Sequence, residues 1–214
     1  MITTLILAAG SSKRMGQPKM LLPWGRATVL GKVIETIQAA DLADILVVTG
    51  SARQEVERIA TQYAVRSIHN PDYANGEMLS SIQTGIRALT PSQPPPFSPK
   101  MGEASRSDGG GSEGVAVLLC LGDQPQIEER SVRAVASRFL ETGSNLVVPS
   151  YQMRRGHPWL VARPFWNEII QMKSPQSPRD FLNRHAAEIE YVDVDTPSIL
   201  ADLDTFEDYL QSRP

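Results

Sequence analysis

Short apolar runs bounded by turn-forming residues recur along the chain as Thr4 to Ala8, Ile45 to Thr49, Val65 to Ile68, Val115 to Leu121 and Leu146 to Val148. Stretches of helical period lie between most of them. Thr28 to Ala40 places Val29, Val33, Ile34 and Ile37 on one face, Ala52 to Tyr63 follows the second run, and Leu79 to Leu89 precedes the fourth. Alternating strands and helices predict an α/β fold, a single-domain Rossmann-like three-layer α/β/α arrangement around a mostly parallel sheet of about seven strands. Ligands in such sheets bind beyond the carboxyl ends of the strands, so the loops after Leu7, Thr49 and Leu121 are expected to carry the chemistry.

The segment 90–114 breaks this alternation with five prolines, five glycines and five serines. Low complexity of that kind predicts a flexible surface insertion in a domain spanning 1–214; a lid that orders over substrate is the alternative. No internal repeat is present.

At 214 residues with 41% apolar positions, the chain has the size of one globular domain. Its net charge of −3 argues against nucleic acid or an anionic membrane as the main partner. The charge is unevenly spread: Lys13, Arg14, Lys19, Arg26 and Lys32 all precede the first acidic residue, so an anion site is expected near the start. Three histidines and the single Cys120 do not suit a zinc cluster, which leaves carboxylates and a hard ion such as Mg²⁺, or Mn²⁺, as the expected metal chemistry. Cys120, within a leucine-rich run, is read as a small buried strand residue. No signal-peptide pattern and no apolar run of membrane-spanning length occur, so the expected location is the cytoplasm.

The most informative segment is LAAGSSKRMGQPKMLLPWG, Leu7 to Gly25. Ala8, Ala9, Gly10, Ser11 and Ser12 keep side chains small where a ligand must approach backbone N–H groups, and Lys13, Arg14 and Lys19 supply cations for phosphate oxygens. The loop is neither a Walker A sequence nor a dinucleotide-binding G-x-G-x-x-G. A second candidate follows the run VAVLLCLGDQP, where Asp123 stands at the sheet's carboxyl edge after Gly122; it could hold Mg²⁺ or hydrogen-bond its own turn. Near the end, Asp204 reads as a helix N-cap with Glu207 completing a capping box, and Asp202 is then the candidate second metal ligand. His157 lies beside Arg154 and Arg155, whose charges should disfavour its protonation. Orienting a substrate, acting as an acid or base, and shaping a turn all remain open for it. Trp24, Trp159 and Trp166 are read as packing residues, Trp159 with the alternative of flanking a planar ligand.

The run Leu7-Ala8-Ala9-Gly10-x-Ser12-x-Arg14-Met15-Gly16-x-Pro18-Lys19-x-Leu21-Leu22 resembles the signature loop of the nucleotidyltransferases related to molybdenum cofactor cytidylyltransferase. Asn70-Pro71-x-Tyr73-x-x-Gly76 with Ser80 and Ser81 resembles the nucleotide-binding segment of that family, Gly122-Asp123-Gln124-Pro125 its metal-binding turn, Arg155-Gly156-His157-Pro158 its substrate-side motif, and Asp202 to Tyr209 its closing motif. Two departures stand out: Glu77 interrupts the usual Gly-Met-Ser-Ser run, and Met153 with Arg154 occupies positions where small residues are common.

The resemblance implies an Mg²⁺-dependent transfer of CMP from CTP to the terminal phosphate of molybdopterin cofactor, with release of pyrophosphate. Arg14, Lys19 and Asp123 would be catalytic, and Leu7 to Lys13, Ser80, Ser81 and Gly122 would join Arg14 and Lys19 in holding the nucleotide. Arg155, Gly156 and His157 would bind the acceptor, and Asp123 and Asp202 the metal. Transient contact with a molybdoenzyme or its maturation chaperone is a further implication. Ala9 favours CTP, since relatives that use GTP often carry Gly there. The alternatives are another small phosphorylated acceptor, GTP as donor, or a non-catalytic nucleotide or cofactor carrier.

Overall fold

A computed structural model of the protein describes residues 1–12, 15–75, 77–90 and 115–214. Lys13, Arg14 and the expected insertion beyond Thr90 lie outside the described residues.

The chain opens with β1 (Ile2–Ala8), a short hairpin of β2 (Pro23–Trp24) and β3 (Ala27–Thr28), and α1 (Val29–Ala39). It continues through β4 (Ile45–Thr49), α2 (Arg53–Gln62), β5 (Arg66–His69), α3 (Glu77–Leu89), β6 (Ala116–Leu121), α4 (Glu129–Thr142) and β7 (Leu146–Tyr151). The last third holds β8 (Arg154–Arg155), β9 (Trp159–Ala162), α5 (Trp166–Gln171), α6 (Pro178–Arg184), β10 (Glu190–Asp193) and α7 (Phe206–Ser212). The sheet runs β10-β7-β9-β6-β1-β4-β5, with β8 added against β7. β5, β4, β1 and β6 are parallel neighbours, β9 runs antiparallel between β6 and β7, and β8 pairs antiparallel with β7.

Strand side chains alternate between two cores, which makes the three layers. Ile6, Val47, Leu118 and Val147 face α1, α2 and α4, packing on Ile34, Ile37, Val56, Val135 and Phe139. Leu5, Leu7, Val48, Val117 and Leu119 face the other way onto Ile82 and Ile86 of α3, Trp166 and Ile169 of α5, and Phe181 of α6. Both faces being covered explains why β1, β4 and β6 are apolar at nearly every position. Cys120 is buried in the first core, and burial raises its thiol pKa, so it stays an inert thiol. Trp166 donates its Nε1–H to the Val161 carbonyl at 3.2 Å and Trp24 packs on Tyr209, so both are packing residues as expected. No helix among the described residues is long and apolar enough to cross a membrane.

Parallel strands β1, β4 and β6 end side by side, so their three following turns meet at one edge. Gly50, just after β4, passes so close to the first of these turns that a Cβ there would lie 2.2 Å from the Ala9 carbonyl oxygen. Ser51 then donates to the Gly10 carbonyl at 2.9 Å. Backbone cannot rotate away as a side-chain tip can, so Gly50→Ala must displace the loop after β1. A loss of about 1–3 kcal/mol is expected, read as a lower denaturation midpoint with an unchanged denaturant slope.

Candidate active site

The loop after β1 crosses the carboxyl edge of the sheet as an open cradle. Ser12 adopts a left-handed conformation (φ 47°), its carbonyl accepts from Met15 N at 2.9 Å, and its Oγ accepts from Lys19 N at 3.0 Å. This folds the loop back so that Lys19 returns to the strand ends. Leu7, Ala9, Gly10, Ser11 and Ser12 line a cavity of about 540 Å³ together with Lys19, Asp123, Asp202 and Asp204. Tyr73, Met78 and Ser81 lie on its other side.

Lys19 forms an ion pair with Asp123 and donates to the Leu203 carbonyl at 2.9 Å. Leu203 N in turn donates to the Asp123 carbonyl at 3.2 Å, and the Leu203 side chain is fully buried beside Trp24 and Tyr209. The C-terminal segment is thereby tied across the turn after β6. Asp202, just before that tie, accepts from Gln124 Nε2 at 2.5 Å. Burial raises the Asp202 pKa, with the charges on Asp123 and Asp204 adding to the effect and Gln124 and Lys19 opposing it. Among the described residues, the cavity lining carries three carboxylates and one ammonium. No cluster of three or more acidic, His or Cys side chains with metal-site geometry exists among the described residues. Two hard carboxylates on one floor nevertheless fit Mg²⁺ or Mn²⁺, which take only one or two protein carboxylates when phosphates and water complete the shell.

Asp204 does not cap α7. Thr205 does, its Oγ accepting from Asp208 N at 3.1 Å while the Asp208 carboxylate accepts from Thr205 N at 2.7 Å. The helix begins at Phe206 as expected, but its cap sits one residue later than Asp204, which is left lining the cavity. Among the other expected residues, Ala8 turns into the core and Gly122 packs beneath the loop, its N–H donating to the Leu7 carbonyl at 3.0 Å. Ser81 lines the cavity, whereas Ser80 lies outside its lining. Both hydroxyls accept from the wholly buried Asn70, at 3.1 and 2.9 Å, while Asn70 Oδ1 accepts from Asp72 N and Thr84. Asn70 thus sets the entry to α3.

Arg155, Gly156 and His157 line a second cavity of about 1190 Å³, and Met78 lines both. Arg155 donates to the Tyr191 hydroxyl at 2.8 Å and to Asn183 Oδ1 at 2.9 Å, with its guanidinium over the Tyr191 ring. Those partners are neutral and leave its charge available to an anion. At Gly156 a Cβ would meet the Ile199 carbonyl at 2.3 Å, so the glycine admits the segment that leads to Asp202. Burial pushes His157 down to about 4, against the pull of the Leu119 carbonyl and the Asp123 charge. The direction matches the sequence expectation, but the cause is burial rather than the neighbouring arginines. Leu119 O, 3.4 Å from Nδ1, can only accept, so Nδ1 carries the proton of the neutral ring. Trp159 is 2% exposed and stacks on Phe181, so its bulk belongs to the core although it reaches the cavity wall.

Sequence reasoning missed the roles of Gln124, Leu203 and Met78. Gln124 carried a signal in its place directly after Asp123, and Leu203 in its place between Asp202 and Asp204.

Similar proteins match along nearly the whole chain. Residues 4–189 match the family model described as the MobA-like NTP transferase domain. Escherichia coli (strain K12) molybdenum cofactor cytidylyltransferase is 29% identical over 99% of this chain and 95% of its own. Nicotine blue oxidoreductase of Paenarthrobacter nicotinovorans is 26% identical over 96% and 93%. The crystal structure of Rv0371c from Mycobacterium tuberculosis H37Rv, also solved in complex with manganese, superposes with a TM-score of 0.74 at 23% identity, covering 98% of this chain and 96% of that one. With the family model spanning most of the chain, this protein belongs to the MobA-like NTP transferase family of nucleotidyltransferases.

Proposed function

We propose that the protein transfers CMP from CTP to the terminal phosphate of a molybdopterin-type cofactor and releases pyrophosphate. The observation that carries this reading is the pair of cavities meeting at Met78, one with a small-residue loop and a charged floor, the other with an anion-ready Arg155. Similarity to a cytidylyltransferase along the whole chain supports the substrates, and Ala9 in the first loop supports CTP over GTP. The larger cavity suits a ring-bearing acceptor better than a small alcohol phosphate.

The acceptor needs no general base, because a phosphomonoester with a second pKa of about 6 is already ionised at neutral pH. Its oxygen forms the new bond to the α-phosphorus of CTP, and the bond from that phosphorus to the bridging oxygen breaks as pyrophosphate leaves. What remains for the protein is positioning and neutralising charge. Backbone amides from Ala9 to Ser12 hold the triphosphate, with Lys13 and Arg14 of the same loop as further cations. Lys19 moves from Asp123 to a phosphate oxygen, and Arg155, Gly156 and His157 hold the acceptor. A divalent cation on Asp123 and Asp202, Mg²⁺ or the Mn²⁺ found with a structural relative, would supply charge neutralisation when bound.

The direct test is pyrophosphate release from CTP, GTP, ATP and UTP with Mg²⁺ and molybdopterin cofactor. Selective release from CTP is expected; release from GTP alone overturns the base preference. Binding without release points to a carrier, and release only with other phosphorylated compounds points to a different acceptor. Asp123→Asn and Lys19→Met should each lower kcat about 100- to 1000-fold, or about 3–4 kcal/mol. A folded Asp123→Asn protein working at the wild-type rate would remove that residue from the mechanism.

His157, neutral across the working range, should contribute no limb to the pH–rate profile between pH 6 and 8. Its effect on stability has a definite sign. With a folded pKa near 4 and an unfolded value of about 6.5, the native state binds fewer protons, so stability falls as pH drops from 6.5 toward 4. His157→Gln should flatten that part of the stability–pH curve, as measured by urea unfolding.

A further inference from the structure

We propose that Gln124 is a positioning residue that holds Asp202 beside Asp123 without cancelling its charge. The inference rests on the functional reading above and assigns a role that the motif resemblance leaves empty. Gln124 follows Asp123 directly, yet its side chain is 2% exposed while Asp123 faces the cavity. A buried amide needs a partner, and its Nε2 donates to Asp202 Oδ1 at 2.5 Å across a sequence separation of 78 residues. Asp202 accepts no other hydrogen bond among the described residues.

The chemistry of the donor matters. Asp123 and Asp204 share the cavity with Asp202, so like charges push the three carboxylates apart. Lys or Arg in place of Gln124 would hold Asp202 equally well, but by neutralising it, and a carboxylate neutralised by its own protein is a poor ligand for a divalent cation. An amide is uncharged at every pH and donates to one oxygen, which leaves the other oxygen and the full negative charge to a cation. The backbone tie from Leu203 N to the Asp123 carbonyl fixes the same two segments on the main chain. One turn thus supplies a carboxylate, Asp123, and in the next residue a holder for the second carboxylate.

The test is Mn²⁺ binding, followed by electron paramagnetic resonance with saturating CTP and no acceptor, so that turnover plays no part. Gln124→Leu keeps the volume and removes the donor; Gln124→Met, whose unbranched chain follows the path of Gln, is the second variant should the first fail to fold. Each is expected to weaken Mn²⁺ about 10- to 100-fold, with metal-free CTP binding unchanged. Asp202→Asn should weaken Mn²⁺ at least as much, and adding Gln124→Leu to it should bring no further loss, because Gln124 acts through Asp202. A folded Gln124 variant with wild-type Mn²⁺ affinity, or losses that add in the double variant, overturns the inference alone. Wild-type protein that binds no Mn²⁺ with any nucleoside triphosphate overturns the functional reading as well.

Discussion

The backbone contact between Leu203 and the turn after β6 is what makes a site out of a sheet edge. Two of the cavity's carboxylates, Asp202 and Asp204, arrive on a segment that belongs to no strand of the sheet, and they stay because Leu203 N bonds the Asp123 carbonyl while Leu203 O takes the Lys19 ammonium. Burial of the Leu203 side chain among Met15, Leu22, Trp24, Val29 and Tyr209 secures the contact. Tyr209 adds its hydroxyl to the Pro23 carbonyl at 2.7 Å. A small satellite core, separate from the two that cover the sheet, thus tensions the C-terminal segment against the first loop. Loss of apolar area there would be felt as lost site geometry before it was felt as unfolding.

The antiparallel strand β9 has a comparable consequence. Inserted between β6 and β7, it brings the Arg155 to Trp159 stretch back across the sheet's carboxyl edge, where it lines the second cavity. A wholly parallel order would have required a helical crossover at that point. The exchange of one crossover for one reversed strand is what sets two cavities side by side with Met78 between them.

How far the sequence could be read follows from the same physics. Strands β1, β4 and β6 were legible because both their faces are buried, and the predicted Ile45–Thr49 strand is the observed one. β9 and β10 were not: β9 is a bare run of four apolar residues that could equally be buried loop, and β10 buries only Val192. The cap of α7 was misread for a sharper reason. Asp204-x-x-Glu207 and Thr205-x-x-Asp208 are two capping boxes offset by one residue, and local chemistry ranks them nearly equally. Packing decides: the register that starts at Thr205 buries Tyr209 to 3% exposure while Leu203 is fully enclosed. In the site, charged residues stood out by type, whereas Leu203 acts through burial and main-chain bonds that residue identity does not encode, and the Gln124 bond to Asp202 spans 78 residues that no local pattern reports.

Lys19 shows why the resting charge balance is part of the proposed chemistry. Its ammonium sits against Asp123 with both side chains largely enclosed, so removing one partner leaves the other's charge stranded. A nucleotide triphosphate offers Lys19 a new anion and a divalent cation offers Asp123 a new counter-charge, so the two exchanges compensate only when they happen together. Either ligand alone must break the pair without supplying both replacements. On the proposed reading the floor of the cavity therefore favours the metal–nucleotide complex over its separate components. A point charge on a flexible stem suits that exchange better than an arginine fork, whose paired hydrogen bonds to a carboxylate would have to be broken together.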